Sequence, residues 1–282
     1  MDGKDNKIES NSLINFTGNL MDFSVPRIMA IANINEDSFY KGSRLSGDIE
    51  ILKRVEKFLL EGADIIDVGA ISTRPNADLL DLDAELDRLI PALQLIREEF
   101  PEAIISVDTF RSEAARRAIE QGANMINDVY GGRYDDEMFK TVGDLQVPYV
   151  LMHSRGFSHD MLDKTGYENV ANDIVKELSG KVTQLINNGV KDIIIDPGFG
   201  FAKTMEENYE LLNHLDVLKI FDYPILAGLS RKSMIYKKLN IDPEQALNGT
   251  TVLNTLAYSK GARLFRVHDV KPVKEMIDLL SK

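Results

Sequence analysis

The sequence contains no cysteine. That excludes a disulfide framework and makes a reducing cytoplasm the expected setting. It also has no apolar run long enough to span a bilayer and no basic-then-apolar start, so neither a membrane span nor a secretory leader is expected. Positive charge is in deficit: 33 Lys and Arg against 45 Asp and Glu leave a formal net charge of −12, which argues against nucleic acid as a partner. Any anionic ligand must be held by local Lys, Arg and backbone N–H groups against an unfavourable overall field. Histidine is scarce, with four residues. His153 reads as a structural strand-end histidine, and His159 and His214 as bystanders in loop and helix.

What is present is the composition of a globular chain, 44% hydrophobic and 28% charged over 282 residues, enough for one large α/β domain or two small ones. Residues 1–12 are polar and expected to fray. Residues 13–26 read as a hairpin turning at Gly18-Asn19. Apolar runs then alternate with amphipathic segments. The expected strands are Ile28–Asn33, Asp64–Gly69, Ile104–Thr109, Met125–Val129, Tyr149–His153, Ile193–Asp196, Ile225–Ser230 and Leu264–His268. The expected helices are Ile49–Leu60, Leu82–Glu99, Ser112–Gln121, Tyr167–Asn188, Met205–Leu218, a helix opening at Ser230–Ser233, Glu244–Lys260 and Lys271–Leu280. Gly62, Gly122 and Gly261 each read as a helix stop before a strand. From Asn33 to His268 the seven steps average about 34 residues, a βαβ spacing. The pattern predicts a single-domain (β/α)₈ TIM barrel with a short N-terminal β-hairpin, with an open doubly wound sheet as the other layout.

In such a barrel the ligand site lies at the C-terminal ends of the strands. The stretch Asp192-Ile-Ile-Ile-Asp-Pro-Gly-Phe-Gly-Phe-Ala-Lys203 shows the arrangement best. A buried β-branched strand stops at Asp196, and Pro197, Gly198 and Gly200 turn the chain sharply. Asp67, Asp108, Asn127, Asp128, Met152, Ser230, Arg266 and His268 end other strands, while Gly228 leaves space for a ligand. Asp108, Asn127 and Asp196 together suit a flat heterocycle with an aminopyrimidine edge, with Phe201 as a stacking face and Lys232 as a cation. A divalent-metal nest with Asn33 is the competing use of those acids. Arg266 and His268 share one strand face, beside the Ser230–Ser233 helix start that is the usual phosphate corner of this fold. Arg74 sits on a Pro-braced loop, and Phe39 on a loop that could cover a ligand.

These motifs, in this order, resemble the dihydropteroate synthases over essentially all of residues 27–282: Asn33…Asp37-Ser38-Phe39, Ser72-Thr73-Arg74-Pro75, Ser106-Val107-Asp108-Thr109, Ile126-Asn127-Asp128, Asp196-Pro197-Gly198-Phe199-Gly200-Phe201, Ser230-Arg231-Lys232-Ser233 and Arg266-Val267-His268. The resemblance implies a transferase of folate biosynthesis. It would join p-aminobenzoate to 6-hydroxymethyl-7,8-dihydropterin pyrophosphate with release of pyrophosphate, and sulfonamides would inhibit it. Asp108, Asn127, Asp196 and Lys232 would hydrogen-bond the pterin, and Met152, Gly228 and Phe201 would shape its slot. Asn33, Arg74, Arg266 and His268 would hold the pyrophosphate with Mg²⁺, Asn33 being the metal ligand. Phe39, Thr73, Arg74, Pro75, Lys232 and Ser233 would frame the p-aminobenzoate site. Asp108, Lys232, Arg266 and His268 are the implied catalytic set, and a cytoplasmic homodimer the implied assembly. The chain departs from the family in two loops: Asn33-Ile34-Asn35-Glu36-Asp37-Ser38-Phe39 where Asn-Val-Thr-Pro-Asp-Ser-Phe is usual, and Gly69-Ala70-Ile71-Ser72 where Gly-Gly-Glu-Ser is usual.

Overall fold

The computed structural model describes residues 12–34, 44–71, 80–157 and 160–281. Strands β1 (Leu13–Phe16) and β2 (Asn19–Asp22) form an antiparallel hairpin. Its loop is Thr17-Gly18, with φ of +50° and +105°, one residue earlier than expected. A two-residue hairpin loop of this kind needs positive φ at both positions. The Asn15 carboxamide oxygen accepts the Gly18 N–H at 2.8 Å, while Asn19 is already paired with Phe16.

Eight further strands follow: β3 (Arg27–Asn33), β4 (Ile65–Gly69), β5 (Ile104–Asp108), β6 (Met125–Asp128), β7 (Tyr149–Met152), β8 (Ile193–Asp196), β9 (Ile225–Ala227) and β10 (Ala262–Val267). They close into a parallel barrel in the order β10-β3-β4-β5-β6-β7-β8-β9. The closed barrel, not the open sheet, is therefore the fold.

Successive strand residues face opposite sides. The outward set, among it Ile66, Val68, Val107, Ile126, Leu151, Ile195 and Phe265, packs under the helices as one buried cluster. The inward set at the N-terminal end of the barrel is also apolar: Met29, Ile65, Met125, Val150, Ile194, Leu226 and Leu264. The hairpin side chains Ile14, Phe16, Met21 and Phe23 belong to this same inner cluster. The hairpin is thus a plug. A two-stranded ribbon is marginal alone, and burial of four large apolar side chains, at about 1.5–3 kcal/mol each, holds this one in place. The Asn15 N–H donates to Asp192 Oδ1 (3.2 Å) and Asn124 Nδ2 to Thr17 Oγ1 (3.0 Å), fixing its orientation.

The outer layer comprises α1 (Arg44–Leu60), α2 (Leu82–Glu99), α3 (Ser112–Glu120), α4 (Met138–Leu145), α5 (Val170–Asn187), α6 (Met205–Asn213), α7 (Ser233–Leu239), α8 (Leu247–Lys260) and α9 (Val270–Leu280). Helix α4 was not expected. Its eight residues include Gly143, and a segment so short carries little periodic signal. The glycine is there for contact: a Cβ on it would sit 1.9 Å from the Asn188 carbonyl oxygen at the end of α5. The expected Met205–Leu218 helix divides into α6 and a 3₁₀ segment, Leu215–Phe221. α5 opens at Val170 rather than Tyr167 because Asn169 caps it, accepting the Asn172 N–H at 3.0 Å. Gly62, Gly122 and Gly261 adopt φ of +97°, +91° and +108° as helix stops. Among the described residues no helix is long and apolar enough to cross a membrane.

Candidate active site

Two residues along from four of the seven apolar inner positions, the same face becomes polar. Ile65 gives way to Asp67, Met125 to Asn127, Ile194 to Asp196 and Leu264 to Arg266, while Leu226 gives way to Gly228 and Val150 to Met152. On β5 the polar inward pair is Ser106 and Asp108. The strand alternation that fills the lower barrel therefore aims these groups into its mouth.

At the centre lies Arg266. Its Nε donates to Asp67 Oδ2 (2.6 Å) and its Nη2 to Asp108 Oδ2 (2.7 Å). Asp67 also accepts from the Ser106 hydroxyl (2.6 Å) and from Asn127 Nδ2 (3.1 Å). One guanidinium is thus shared by two buried carboxylates, with Asn127 oriented by the first. Burial pushes the Asp108 carboxyl up to about 7, with Arg266 opposing the shift. Burial disfavours the Arg266 charge, but Asp67 and Asp108 outweigh it and hold the guanidinium firmly protonated.

Beside this centre runs a narrow slot. Asp196 ends β8, and its Oδ1 accepts the Gly198 N–H at 2.7 Å. A Cβ built on Gly228 would lie 3.9 Å from Lys232 Nζ and 4.0 Å from Asp196 Oδ2, so the glycine leaves a gap flanked by an acid and an ammonium. Lys232 Nζ donates to the Phe199 carbonyl and lies 4.9 Å from the centre of the Phe201 ring. Burial raises the Asp196 carboxyl against the pull of Lys232, and burial lowers the Lys232 ammonium to about 8. Met152 joins Phe110, Val129 and Tyr130 in a small apolar cluster against which Phe201 and Ile71 pack. Asp108, Asn127, Met152, Asp196, Phe201, Gly228, Lys232 and Arg266 are therefore brought together.

The neighbouring corner is formed by β10 and the turn after β9. His268 Nδ1 lies 3.0 Å from the Ser230 hydroxyl, which also accepts the His268 N–H at 3.2 Å. Arg231 occupies the left-handed region, φ +53°, a conformation unfavourable for a side-chain-bearing residue. Its guanidinium over-determines the turn by donating to Asp269 Oδ2 (2.8 Å) and Oδ1 (3.0 Å) and to the carbonyls of Pro243 and Glu244. The turn thereby directs Arg231 away while Ser230 and Lys232 face the mouth. Ser233 follows as the first residue of α7.

Phe39, Thr73, Arg74 and Pro75, with the altered Asn35-Glu36 pair, lie outside the described residues. Asn33 ends β3 and is exposed, its Oδ1 3.7 Å from where a Cβ on Gly69 would stand. Asp128 turns away from the mouth and serves the loop instead, accepting from the N–H groups of Tyr130, Gly131 and Gly132 and from the Tyr149 hydroxyl. His153 is buried, its Nε2 2.9 Å from Glu177 Oε2. Two residues received no role from the sequence and have contacts at the mouth here: Asp67 and Ser106. Both could have been found from strand parity, since each is an even number of residues from Asp108 or from an inner apolar position.

The family model for pterin-binding enzymes matches residues 29–268. The chain is 42% identical over 247 residues to the dihydropteroate synthase of Clostridium beijerinckii, covering 86% of this chain and 88% of that protein. Its structure resembles that of Xanthomonas albilineans dihydropteroate synthase with 4-aminobenzoic acid, at 34% identity and a TM-score of 0.87, over 96% of this chain and 97% of the other. It also resembles the Yersinia pestis dihydropteroate synthase in complex with a sulfonamide drug, at 32% identity and a TM-score of 0.87, over 95% and 97% of the two chains.

Proposed function

The chain belongs to the pterin-binding enzyme family, among the dihydropteroate synthases, and we propose that Asp108, Asn127, Asp196 and Lys232 hold the pterin while Arg266 and His268 draw off the pyrophosphate. The observation that supports this reading most is the gap at Gly228, flanked by Asp196 Oδ2 and Lys232 Nζ. It sets an acceptor and a donor beside one gap, the pairing that the edge of a flat heterocycle calls for.

The chemistry follows from the charges. As the C–O bond to pyrophosphate breaks, the pterin methylene becomes cation-like, and Asp108 faces that charge. The amine nitrogen of p-aminobenzoate forms the new bond to this carbon and gives up a proton, and pyrophosphate leaves with the C–O electron pair. No protein nucleophile is required. Met152 and Phe201 line the slot. Lys232 and Ser233, with Phe39, Thr73, Arg74 and Pro75 from the loops outside the described residues, frame the p-aminobenzoate site.

Among the described residues no group of three His, Cys, Asp or Glu side chains could hold a metal ion, and Asp67 and Asp108 are engaged by Arg266. The exposed side-chain amide of Asn33 would hold a Mg²⁺ through its oxygen, a hard donor of the kind this ion takes. When bound, such a cation would neutralise charge on the leaving group. A single-domain cytoplasmic homodimer belongs to the same proposal. The test is pyrophosphate release from 6-hydroxymethyl-7,8-dihydropterin pyrophosphate, measured with and without p-aminobenzoate. Release that does not depend on p-aminobenzoate would refute the assignment.

A further inference from the structure

Among the described residues Lys203 is a buried charge with no ion-pair partner. Its side chain is 6% exposed, and its three ammonium protons meet three neutral acceptors: the carbonyls of Gly198 (2.9 Å) and Phe201 (3.0 Å) and His153 Nδ1 (3.2 Å). Burial lowers this ammonium to about 7. His153 is held neutral by burial and by Lys203, its pKa depressed to about 4. It accepts from Lys203 on Nδ1 and donates from Nε2 to Glu177. Burial pushes Glu177 up, but hydrogen bonds from His153 and Arg155 outweigh it and hold the carboxylate down at about 2. Arg155 completes the chain, stacked 3.8 Å from the centre of the Tyr167 ring.

Packing alone does not call for this lysine. An unbranched apolar side chain would fill similar space, but it would leave the Gly198 and Phe201 carbonyls and His153 Nδ1 without their donor. What the ammonium adds is placement. Gly198, whose carbonyl Lys203 holds, also donates the N–H that fixes Asp196 Oδ1. Gly198 is itself wedged, at φ +68°, where a Cβ would fall 1.9 Å from the His153 carbonyl oxygen. Phe201, whose carbonyl Lys203 also holds, presents its ring beneath Lys232. One ammonium therefore grips both ends of the turn that carries an acid and a stacking face into the slot.

We propose that Lys203 is a positioning residue of the pterin slot, clamping the Gly198 and Phe201 carbonyls so that Asp196 and Phe201 meet the ligand together, and setting a positive charge behind the Asp196 carboxylate. The inference rests on the reading of Asp196 as a pterin ligand. The charged groups facing Asp196 are Lys232 from the turn after β9, Arg266 from β10 and Lys203 from its own loop. Those facing Lys203 are Asp196, Lys232, Glu177 and Arg155, with neutral His153 in direct contact. Removing the Lys203 charge leaves burial less opposed, so Asp196 takes up its proton at higher pH and stops accepting from the pterin.

The experiment is calorimetric titration of 6-hydroxymethylpterin into the parent, Lys203→Met and Lys203→Gln across pH, with inorganic pyrophosphate as the second ligand and thermal unfolding alongside. In Lys203→Met, pterin affinity at pH 7 should fall about tenfold or more, and the acid limb of binding should move up by about one pH unit. Pyrophosphate affinity should stay within about twofold, and Tm should fall while the variant stays folded, because three buried acceptors lose their donor. Lys203→Gln keeps a donor but not the charge, so it should recover part of the affinity at high pH while its acid limb stays displaced. Parent-like pterin binding with an unmoved acid limb in both variants overturns the proposal and leaves the slot reading intact. Failure of the variants to fold overturns it too, by making Lys203 a residue of the fold. A parent protein that binds no pterin overturns both.

Discussion

Gly228→Ala is the substitution that best separates the ligand slot from the fold. Gly228 follows β9 and its φ lies outside the left-handed region that only glycine favours. A Cβ there would meet Leu226 Cδ2 at 3.8 Å, Lys232 Nζ at 3.9 Å and Asp196 Oδ2 at 4.0 Å. All three are ordinary van der Waals distances, so the free protein accommodates the methyl group without moving. The unfolded chain loses some freedom, which stabilises by about 0.4–1 kcal/mol. A bound pterin, however, would occupy the volume the methyl takes. Overpacking a rigid site by one carbon costs about 1–3 kcal/mol, a loss of affinity of about 5- to 150-fold. Calorimetric titration with a pterin ligand and thermal unfolding of the same sample are the two assays. The expected result is weakened binding with Tm unchanged or slightly raised. Pterin affinity within about threefold of the parent, in a folded variant, would refute the placement of the ligand between Asp196 and Lys232. The control is Gly198→Ala, where the Cβ would lie 1.9 Å from the His153 carbonyl oxygen. That variant should lose stability and binding together.

Arg266→Ala and His268→Ala should each weaken inorganic pyrophosphate binding at least tenfold, with Arg266→Ala also disturbing the pterin because it frees Asp67 and Asp108 from their shared cation. Calorimetry with pyrophosphate and with the bare pterin alcohol reads both; equal losses for the two ligands in His268→Ala would show that this corner is not the phosphate site. Asp108 has a carboxyl raised from 3.8 to about 7, so between these values the folded state holds the extra proton and stability falls as pH rises. Asp108→Asn should remove that slope, leaving a protein at pH 8 at least as stable as the parent but deficient in synthase turnover; chemical denaturation across pH checks it, and an unchanged slope would show that Asp108 is not the titrating group. Phe16→Ala should cost about 3–5 kcal/mol of stability while leaving pterin affinity unchanged, since the plug lies at the opposite end of the barrel. Loss of affinity at temperatures where the variant is still folded would contradict that separation.

The barrel was readable because each strand is a short apolar run bounded by glycine or by a polar stop, and the repeat is even. What escaped was α4, whose eight residues are held by burial of Met138, Phe139 and Val142 rather than by a long periodic face. The hairpin turn moved by one residue because Thr17 accepts a positive φ that its residue type does not advertise. At the site, Asp196, Gly228 and Lys232 stood in motifs, and their meeting in space follows from β8 and β9 being neighbours. Asp67 was expected at the mouth by its strand-end position but without a role, and its importance appears only when Arg266, from a strand two places away round the barrel, reaches across to it. Asp128 was the converse: strand-end position suggested the mouth, but parity sends it to the loop amides.

The buried charges themselves argue for a site whose ligand completes the electrostatics. Asp108 and Asp196 are both raised by burial, and Lys232 and Lys203 both lowered by it. A fold selected for stability alone would replace such groups with apolar ones, since burying charge rarely repays its desolvation. Held in place by the apolar layer beneath and by the Arg266 and Lys203 contacts, they need no reorganisation when charge develops on the substrate. Each group shifted toward its neutral form gains most when a ligand supplies the missing hydrogen bond. Pterin binding should therefore be proton-linked on the acid side through Asp196 and Asp108 and on the alkaline side through Lys232. A calorimetric binding constant that is flat between pH 5 and pH 9 would mean that these groups do not meet the ligand.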